Sequence, residues 1–225
     1  MLWNRIIGAG GFGDTTSYAF TQGGLEDHTA GATDIENVNI GPAASDRHVV
    51  VFISSVDTGD YAGTMTIGGI TATQHLLAND QDRGIVVCYG ADVPTGTTAT
   101  IAYTLANGPL KEMQYAVYSL YGYSTTLYDT GKGGSDGGNP TTTVDTGAEN
   151  DLILAYGADR SALSTSGLPT LSNVTVDSAE HNNPDRGEYA CGSHLATGPE
   201  TGRSIVFTPA DPVRGNIAVV VFQPS

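Results

Sequence analysis

Short apolar runs alternate with polar, glycine-rich turns along most of this chain. Residues 48–54 are apolar almost throughout, which is typical of a strand buried on both faces. Residues 98–105 alternate instead, and this period of two predicts a strand with one polar and one apolar face. No amphipathic helical pattern of useful length interrupts these runs. The sequence therefore predicts an all-β fold of the β-sandwich or jelly-roll-like kind.

The order of the runs repeats once, about 103 residues further along the chain. Residues 82–88 (DRGIVVC) return as residues 185–191 (DRGEYAC), which places the only two cysteines, Cys88 and Cys191, at equivalent positions. Three further pairs of runs match at nearly the same spacing: 49–53 with 152–156, 100–104 with 204–208, and 113–122 with 216–225. We interpret this as an internal duplication, with repeats at about 46–122 and 149–225.

The duplication allows two architectures for residues 46–225. A single sandwich to which each repeat contributes strands of both sheets is preferred, because repeats of about 75 residues would have thin cores alone. Two small sandwiches side by side are the alternative. Residues 123–147, which include the run GKGGSDGGNP, are predicted to be a glycine-rich connector. The two cysteines are expected to be independent buried thiols rather than a disulfide.

Residues 1–45 are predicted to be an N-terminal arm with a first strand. The apolar tip is followed by glycines, so two interpretations stay open: a strand folded onto the sandwich, or a docking segment that inserts into a partner. The candidate docking residues are Leu2, Trp3, Ile6 and Ile7. The tip is too short for a signal-peptide core, and no run approaches the ~20 apolar residues of a membrane span, so neither secretion nor membrane insertion is predicted.

The net charge of the chain limits the kinds of partner that it can bind. The chain has 24 acidic and 9 basic residues, a net charge of −15, and such a surface repels nucleic acid and anionic membranes. The aspartates of residues 57–60 and 80–82 offer oxygen ligands to calcium, although neither segment matches an EF-hand loop and ordinary turn chemistry explains both. Apart from calcium, no cofactor is predicted.

Residues with catalytic chemistry form no recognisable pattern. The five histidines (His28, His48, His75, His181 and His194) show no spacing that would place two imidazoles on one metal ion, and His48 is interpreted as structural. No G-x-S-x-G motif is present, and Cys88 lies inside an apolar strand. Glu188 stands where the first repeat has Ile85, which an edge strand with a solvated outer face would explain. No catalytic or metal residue is therefore predicted, and the chain is expected not to be an enzyme.

Tyrosine is the one enriched aromatic residue, with 11 tyrosines against 5 phenylalanines. Tyr121 and Tyr123 lie where a strand runs into a polar segment, and their rings could stack on sugars. They are the candidate glycan contacts, although tyrosine also fills half-buried sheet faces.

The order of motifs resembles β-sandwich proteins encoded among tailed-phage structural genes, as found in tail fibres, head spikes, decoration proteins and related gene-transfer particles. The motifs are VVVFIS (49–54), MTIGGI (65–70), YGADVPTGTTATI (89–101), AVYSLYG (116–122) and AVVVFQP (218–224). The resemblance implies a non-enzymatic virion protein, assembled in the host cytoplasm, that serves particle assembly and attachment to the host surface. Its implied partners are other virion proteins, copies of itself in a homo-oligomer such as a trimer, and a host glycan. A free carbohydrate-binding module and a glycan-degrading enzyme are the alternatives.

Overall fold

The computed structural model describes residues 16–27, 34–55, 63–79, 85–105, 112–159, 167–181, 187–210 and 214–225. All regular secondary structure in these residues is β-strand, so the all-β prediction is confirmed. No helix with the length and apolarity needed to cross a membrane occurs in this part of the chain.

The strands follow one another with short connections. They are β1 (Ser17–Asp27), β2 (Asp34–Asn39), β3 (His48–Ser55), β4 (Gly63–Ile67), β5 (Ile70–Thr71), β6 (Thr73–Asn79), β7 (Ile85–Asp92), β8 (Thr98–Leu105), β9 (Glu112–Tyr121), β10 (Tyr123–Asp136), β11 (Thr141–Thr146), β12 (Glu149–Asp159), β13 (Thr170–Leu171), β14 (Thr175–His181), β15 (Glu188–Thr197), β16 (Glu200–Thr208) and β17 (Arg214–Pro224).

The strands form four antiparallel sheets that come in two matching pairs. The first repeat builds a five-stranded sheet of order β1-β9-β3-β7-β6 and a four-stranded sheet of order β2-β8-β4-β5. The second repeat builds a five-stranded sheet of order β10-β17-β12-β15-β14 and a three-stranded sheet of order β11-β16-β13. Each repeat therefore forms a sandwich of its own, and the preferred single sandwich with both sheets shared between the repeats is wrong.

Three apolar layers hold the four sheets together. One fills the sandwich of the first repeat and another that of the second. The third lies between the two five-stranded sheets and contains 18 buried residues from both repeats; we call it the shared layer. Because the central strands of both five-stranded sheets are covered on both faces, even the short repeats acquire a thick core. The single sandwich was preferred because separate repeats were expected to have thin cores, and the shared layer removes that reason.

The shared layer is built from the same face of each repeat. Val50, Phe52 and Cys88 of the first repeat meet Leu154, Tyr156 and Cys191 of the second in one cluster. The rings of Phe52 and Tyr156 stack with centroids 5.6 Å apart. Two copies of one surface facing each other is the isologous arrangement of a symmetric dimer, here within a single chain.

The predicted connector is wrong: it is regular structure. Residues 123–136 form β10, which pairs with β17, and residues 141–146 form β11, which pairs with β16. They are the counterparts of β1 and β2, so each repeat begins earlier than the sequence indicated. The glycines of β10 allow close contact: a Cβ at Gly131 would lie 2.5 Å from the Thr142 hydroxyl, and one at Gly133 would lie 2.3 Å from the Thr141 carbonyl.

The spacing of 103 residues predicted for the runs 49–53 and 113–122 is also corrected by the strand pairing. Cys88 pairs with Phe52, which pairs with Ala116 on its other side; the matching row of the second repeat is Cys191, Tyr156 and Ala218. Equivalent residues are thus 103 apart in β7 and β15, but 104 apart in β3 and β12 and 102 apart in β9 and β17. A one-residue error moves every side chain of a strand to the opposite face, so only these spacings match core with core.

The two cysteines are free and buried, as expected. Burial raises the pKa of both thiols, that of Cys191 to about 12. They are therefore small apolar groups of the shared layer.

Candidate functional site

A cleft of about 400 Å³ opens beside the shared layer, where the two repeats meet. Its walls come from the start of β3 and from β5, β6 and β7 of the first repeat, and from the beginning of β10 in the second. It is lined by His48, Ile70, Thr71, Thr73, His75, Gly90, Ala91, Asp92, Thr125, Thr126 and Leu127. We call it the histidine cleft, because two imidazoles meet in it.

Strand pairing brings His48 and Asp92 together. His48 is the first residue of β3 and lies directly opposite Asp92, the last residue of β7. Both side chains lie on the face of the sheet that carries Val50, Phe52 and Cys88. Nδ1 of His48 is 2.7 Å from Oδ1 of Asp92. The imidazole side chain is only 5% exposed, whereas the carboxylate side chain is 70% exposed, so the pair runs from the interior to the surface.

A β-bulge brings in the second histidine. The register between β6 and β7 shifts between Gln74 and Leu76, which leaves His75 as the extra residue. A bulged residue loses the strict alternation of side chains and can be turned toward a new direction. His75 thereby joins the face that carries His48, and the two Nε2 atoms lie 3.4 Å apart.

A ring from the other repeat closes the inner side of the histidine pair. The Phe222 ring centroid is 6.0 Å from that of His48 and 5.8 Å from that of His75. Burial, together with the electrostatic effect of the neighbouring His48, lowers the pKa of His75 to about 4. His75 is therefore neutral at neutral pH.

Gly90 makes room for the two imidazoles. A Cβ built on this glycine would lie 2.2 Å from Nε2 of His75 and 2.4 Å from Nε2 of His48, far inside any van der Waals contact. Gly90 pairs with Val50 on one side and Thr73 on the other, so the backbone cannot move away without breaking the sheet. The two rings can meet over this strand only because no side chain stands there.

The second repeat has no such arrangement. By strand pairing, Leu152 and Leu195 replace His48 and Asp92, since Leu152 pairs with Leu195 just as His48 pairs with Asp92. The bulge of β14 carries Asp177 in place of His75, and the Asp177 carboxylate accepts a hydrogen bond of 3.0 Å from the Tyr118 hydroxyl across the shared layer. The histidine cleft is therefore specific to the first repeat and not a general property of the fold.

Chemically, the Asp92 carboxylate fixes the His48 imidazole with Nδ1 as the donor, which leaves the Nε2 lone pair directed toward His75. The cleft is also lined by Thr71, Thr73, Thr125 and Thr126. Such a set can hold a polar ligand or a proton, or bind a cation. No group of three or more His, Cys, Asp or Glu side chains able to hold a metal ion is found in the part of the chain that the structure describes.

The tyrosines predicted to contact glycans have different surroundings. Tyr123 is buried, with 5% of its surface exposed, and its hydroxyl lies 3.4 Å from the Asn150 carbonyl oxygen. Tyr121 is half-buried and donates a hydrogen bond of 2.9 Å to the Pro42 carbonyl. Only Tyr121 therefore offers ring surface to a sugar. The docking residues Leu2, Trp3, Ile6 and Ile7 and both candidate calcium turns lie outside the described residues.

The interpretation of Glu188 as a residue of a solvated edge strand is wrong. Its strand, β15, lies between β12 and β14, and the Glu188 side chain is fully buried. The carboxylate accepts a hydrogen bond of 2.7 Å from the Ala210 amide. Asp159, its partner across the strands, is also buried and accepts from the Arg214 amide at 3.1 Å. Both carboxylates thus bind backbone amides around the start of β17.

The His48–His75 pair could not be found from local spacing. The two histidines are 27 residues apart on strands that do not pair with each other, and a bulge sets the direction of one of them. The available signal was the hairpin of β6 and β7, which places His75 beside Gly90, together with the apolar run that ends at His48.

Comparisons with known proteins add little. No protein-family model matches the chain, and no curated protein matches it. Among solved structures, the chain is similar to a conserved protein of unknown function from Pseudomonas aeruginosa PAO1, with 12% identity over 98% of this chain and 92% of that one. The TM-score is 0.27, too low to carry an argument about fold or function.

Proposed function

We propose that this chain is a non-enzymatic structural protein on the surface of a virus-like particle, where it serves assembly and attachment. The observation that carries the proposal is the shared layer. It joins the two sandwiches face to face through 18 buried residues, including the stacked rings of Phe52, Tyr156 and Tyr189. Four sheets packed in this way make a stiff body, as a spike, fibre or decoration protein requires.

The motifs that resemble phage β-sandwich proteins support the same proposal. VVVFIS lies in β3, AVYSLYG ends β9, and AVVVFQP lies in β17. These are the central strands of the five-stranded sheets, and they supply much of the shared layer. Three of the five motifs thus lie among the residues that fix the architecture, and the role in a particle is inferred from the resemblance.

Association with particles is the direct test. Particles released from the source culture are banded on a density gradient, and the bands are probed with an antibody against residues 34–225. We expect the chain in the particle band and immunogold label on the particle surface. Recovery of the chain only at the top of the gradient, as free protein, would contradict the proposal.

The N-terminal arm is tested in the same assay. A chain that lacks residues 1–10 should fold normally by circular dichroism but should no longer enter particles. A matched control is the substitution of the exposed residue Leu168 by serine (Leu168→Ser), which should leave incorporation unchanged. Normal incorporation of the truncated chain would remove the arm from the proposal while leaving the particle assignment standing.

Contact with a host glycan, the further role implied by the resemblance, would use Tyr121. Binding on a glycan array should be lost in Tyr121→Ala and retained in Tyr128→Ala, which removes a more exposed ring elsewhere on the surface. A blank array with the unmodified protein would exclude glycan attachment.

A further inference from the structure

The two imidazoles of the histidine cleft are placed as a pair of metal ligands. Zinc–nitrogen bonds are about 2.0–2.1 Å long, so two nitrogens at a tetrahedral angle on one ion are roughly 3.3 Å apart. The Nε2 atoms of His48 and His75 are 3.4 Å apart. The ring planes are inclined by 54°, so the rings do not stack, and their nitrogens rather than their faces meet.

We propose that His48 and His75 bind one transition-metal ion of the zinc class through their Nε2 atoms, with the remaining coordination positions open to the cleft. Neutral imidazole nitrogen is a preferred ligand of Zn²⁺, Cu²⁺, Ni²⁺ and Co²⁺. Two protein ligands with solvent completing the coordination make a site of modest affinity that can exchange its ion and accept a ligand from outside. The proposal is independent of the role in a particle.

Asp92 has the place of the partner that orients a metal-bound histidine. A metal-ligating imidazole usually donates its second N–H to a carboxylate, which fixes the tautomer and makes the ligating nitrogen more basic. The contact of 2.7 Å between Nδ1 of His48 and Oδ1 of Asp92 has this form. Asp92 is thus a positioning residue and not a third ligand.

The surroundings leave space for an ion and its remaining ligands. Gly90 carries no side chain where a methyl group would contact both Nε2 atoms. The cleft of about 400 Å³ extends from the histidines past Thr71, Thr73 and Thr125. Because the Asp92 side chain is 70% exposed, the site also has an entry path from solvent.

Comparison with the second repeat indicates that the histidine pair is not a by-product of the fold. The same sheet positions there carry Leu152, Leu195, Asp177 and Ser193, so the duplication has lost the pair or never had it in that copy. In the first repeat, His48 and Asp92 stand where the second repeat has two leucines, and His75 and Gly90 stand where it has Asp177 and Ser193.

The test uses the full chain without a histidine tag, stripped with EDTA and dialysed. Calorimetric titration with ZnCl₂ should show saturable binding of one ion per chain, and CoCl₂ should give the strong visible absorption of tetrahedral Co²⁺. His75→Gln should abolish both signals. Asp92→Asn should weaken the affinity about 10–100-fold. His194→Gln, which removes a half-buried histidine of the second repeat, should change neither.

A second measurement needs no variant and therefore survives misfolding of His75→Gln. In the NMR spectrum of the unmodified chain, Co²⁺ should broaden the ring protons of His48 and His75 far more strongly than those of His194. Absence of saturable binding, which is expected if the two rings merely share a proton, would overturn the proposal. Binding retained in folded His75→Gln, or perturbation confined to other histidines, would overturn it as well.

Discussion

Arg47 shows how a single buried charge can organise a sandwich. Its side chain is fully buried, and its guanidinium lies within hydrogen-bond distance of six backbone carbonyl oxygens, at 2.7–3.2 Å. These carbonyls belong to residues 40–42, which precede β3, and to Val93, Thr95 and Gly96, which follow β7. The side chain therefore joins the connection that leads into β3 to the connection that leaves β7. The second repeat has Asp151 at the equivalent position, where the carboxylate accepts from the Gly147 and Ala148 amides.

Replacing Arg47 should therefore be costly. Arg47→Met keeps the apolar stem but leaves buried carbonyls without donors, so we expect a loss of about 3 kcal/mol in the free energy of unfolding. Lys132→Met is the matched control, because it removes one positive charge from an exposed side chain, and it should cost less than about 0.5 kcal/mol. Urea unfolding measures both, and equal stabilities for the two variants would contradict this account.

His194 should make stability depend on pH. Burial, assisted by the positive charge of Arg203, lowers the pKa of His194 below its usual 6.5, although Glu200 opposes the shift. A histidine with a depressed pKa in the folded state contributes stability above pH 6.5 that is lost as the pH falls. His194→Gln should therefore lose less stability than the unmodified chain between pH 6.5 and about 5. If the urea midpoints of His194→Gln and of the unmodified chain fell equally with decreasing pH, this prediction would be contradicted.

Among the elements, the strands were well predicted and the glycine-rich segments were not. The runs at 48–54 and 98–105 are β3 and β8, because strict alternation and continuous apolarity are signals of strands. The run GKGGSDGGNP looked flexible, since glycine is common in linkers. In β10 the glycines serve instead to let β11 approach its backbone. Composition alone cannot distinguish a glycine that makes a segment flexible from a glycine that lets a neighbouring strand approach closely.

Gly90 allows a direct test of such contact within β7. Gly90→Ala places a methyl group among the two imidazoles, and the expected loss is about 1–3 kcal/mol, since neither ring can leave without disturbing Phe222. Gly198→Ala is the control, because nothing lies within 4 Å of a Cβ there. Thermal unfolding measures the difference. A Gly90→Ala protein as stable as the control would show that the rings have room to withdraw.

At the scale of the whole molecule, the duplication was visible in the sequence but its consequence for packing was not. The spacing of 103 residues between the runs 49–53 and 152–156 matches similar residue types, yet it places Val49 of one sandwich core on Leu152 of the shared layer. Only the pairing of strands reveals the spacings of 104 and 102. The histidine cleft was hidden for the same reason, because it depends on a bulge and on Phe222 from the other repeat.

The shared layer predicts that the repeats are not stable apart. Expressed separately, residues 1–122 and 123–225 would expose 8 and 10 residues of the 18-residue layer to water, respectively. We expect each fragment to bind a hydrophobic dye and to lack a cooperative thermal transition. Co-expression should restore a one-to-one complex with a single transition. Two separately expressed fragments that are monomeric and unfold cooperatively would contradict this prediction.

The self-facing geometry of the shared layer has a consequence for how such a protein responds to dilution. A chain with only one repeat and this face would have to find a second copy, and its folding would depend on concentration as in an obligate homodimer. Fusion of the two copies makes that encounter intramolecular, so the body persists even when molecules are scarce. Fusion also allows the two copies to differ in sequence: one carries Arg47 and the histidines, and the other carries Asp151 and leucines. The two subunits of a homodimer, which share one sequence, cannot differ in this way.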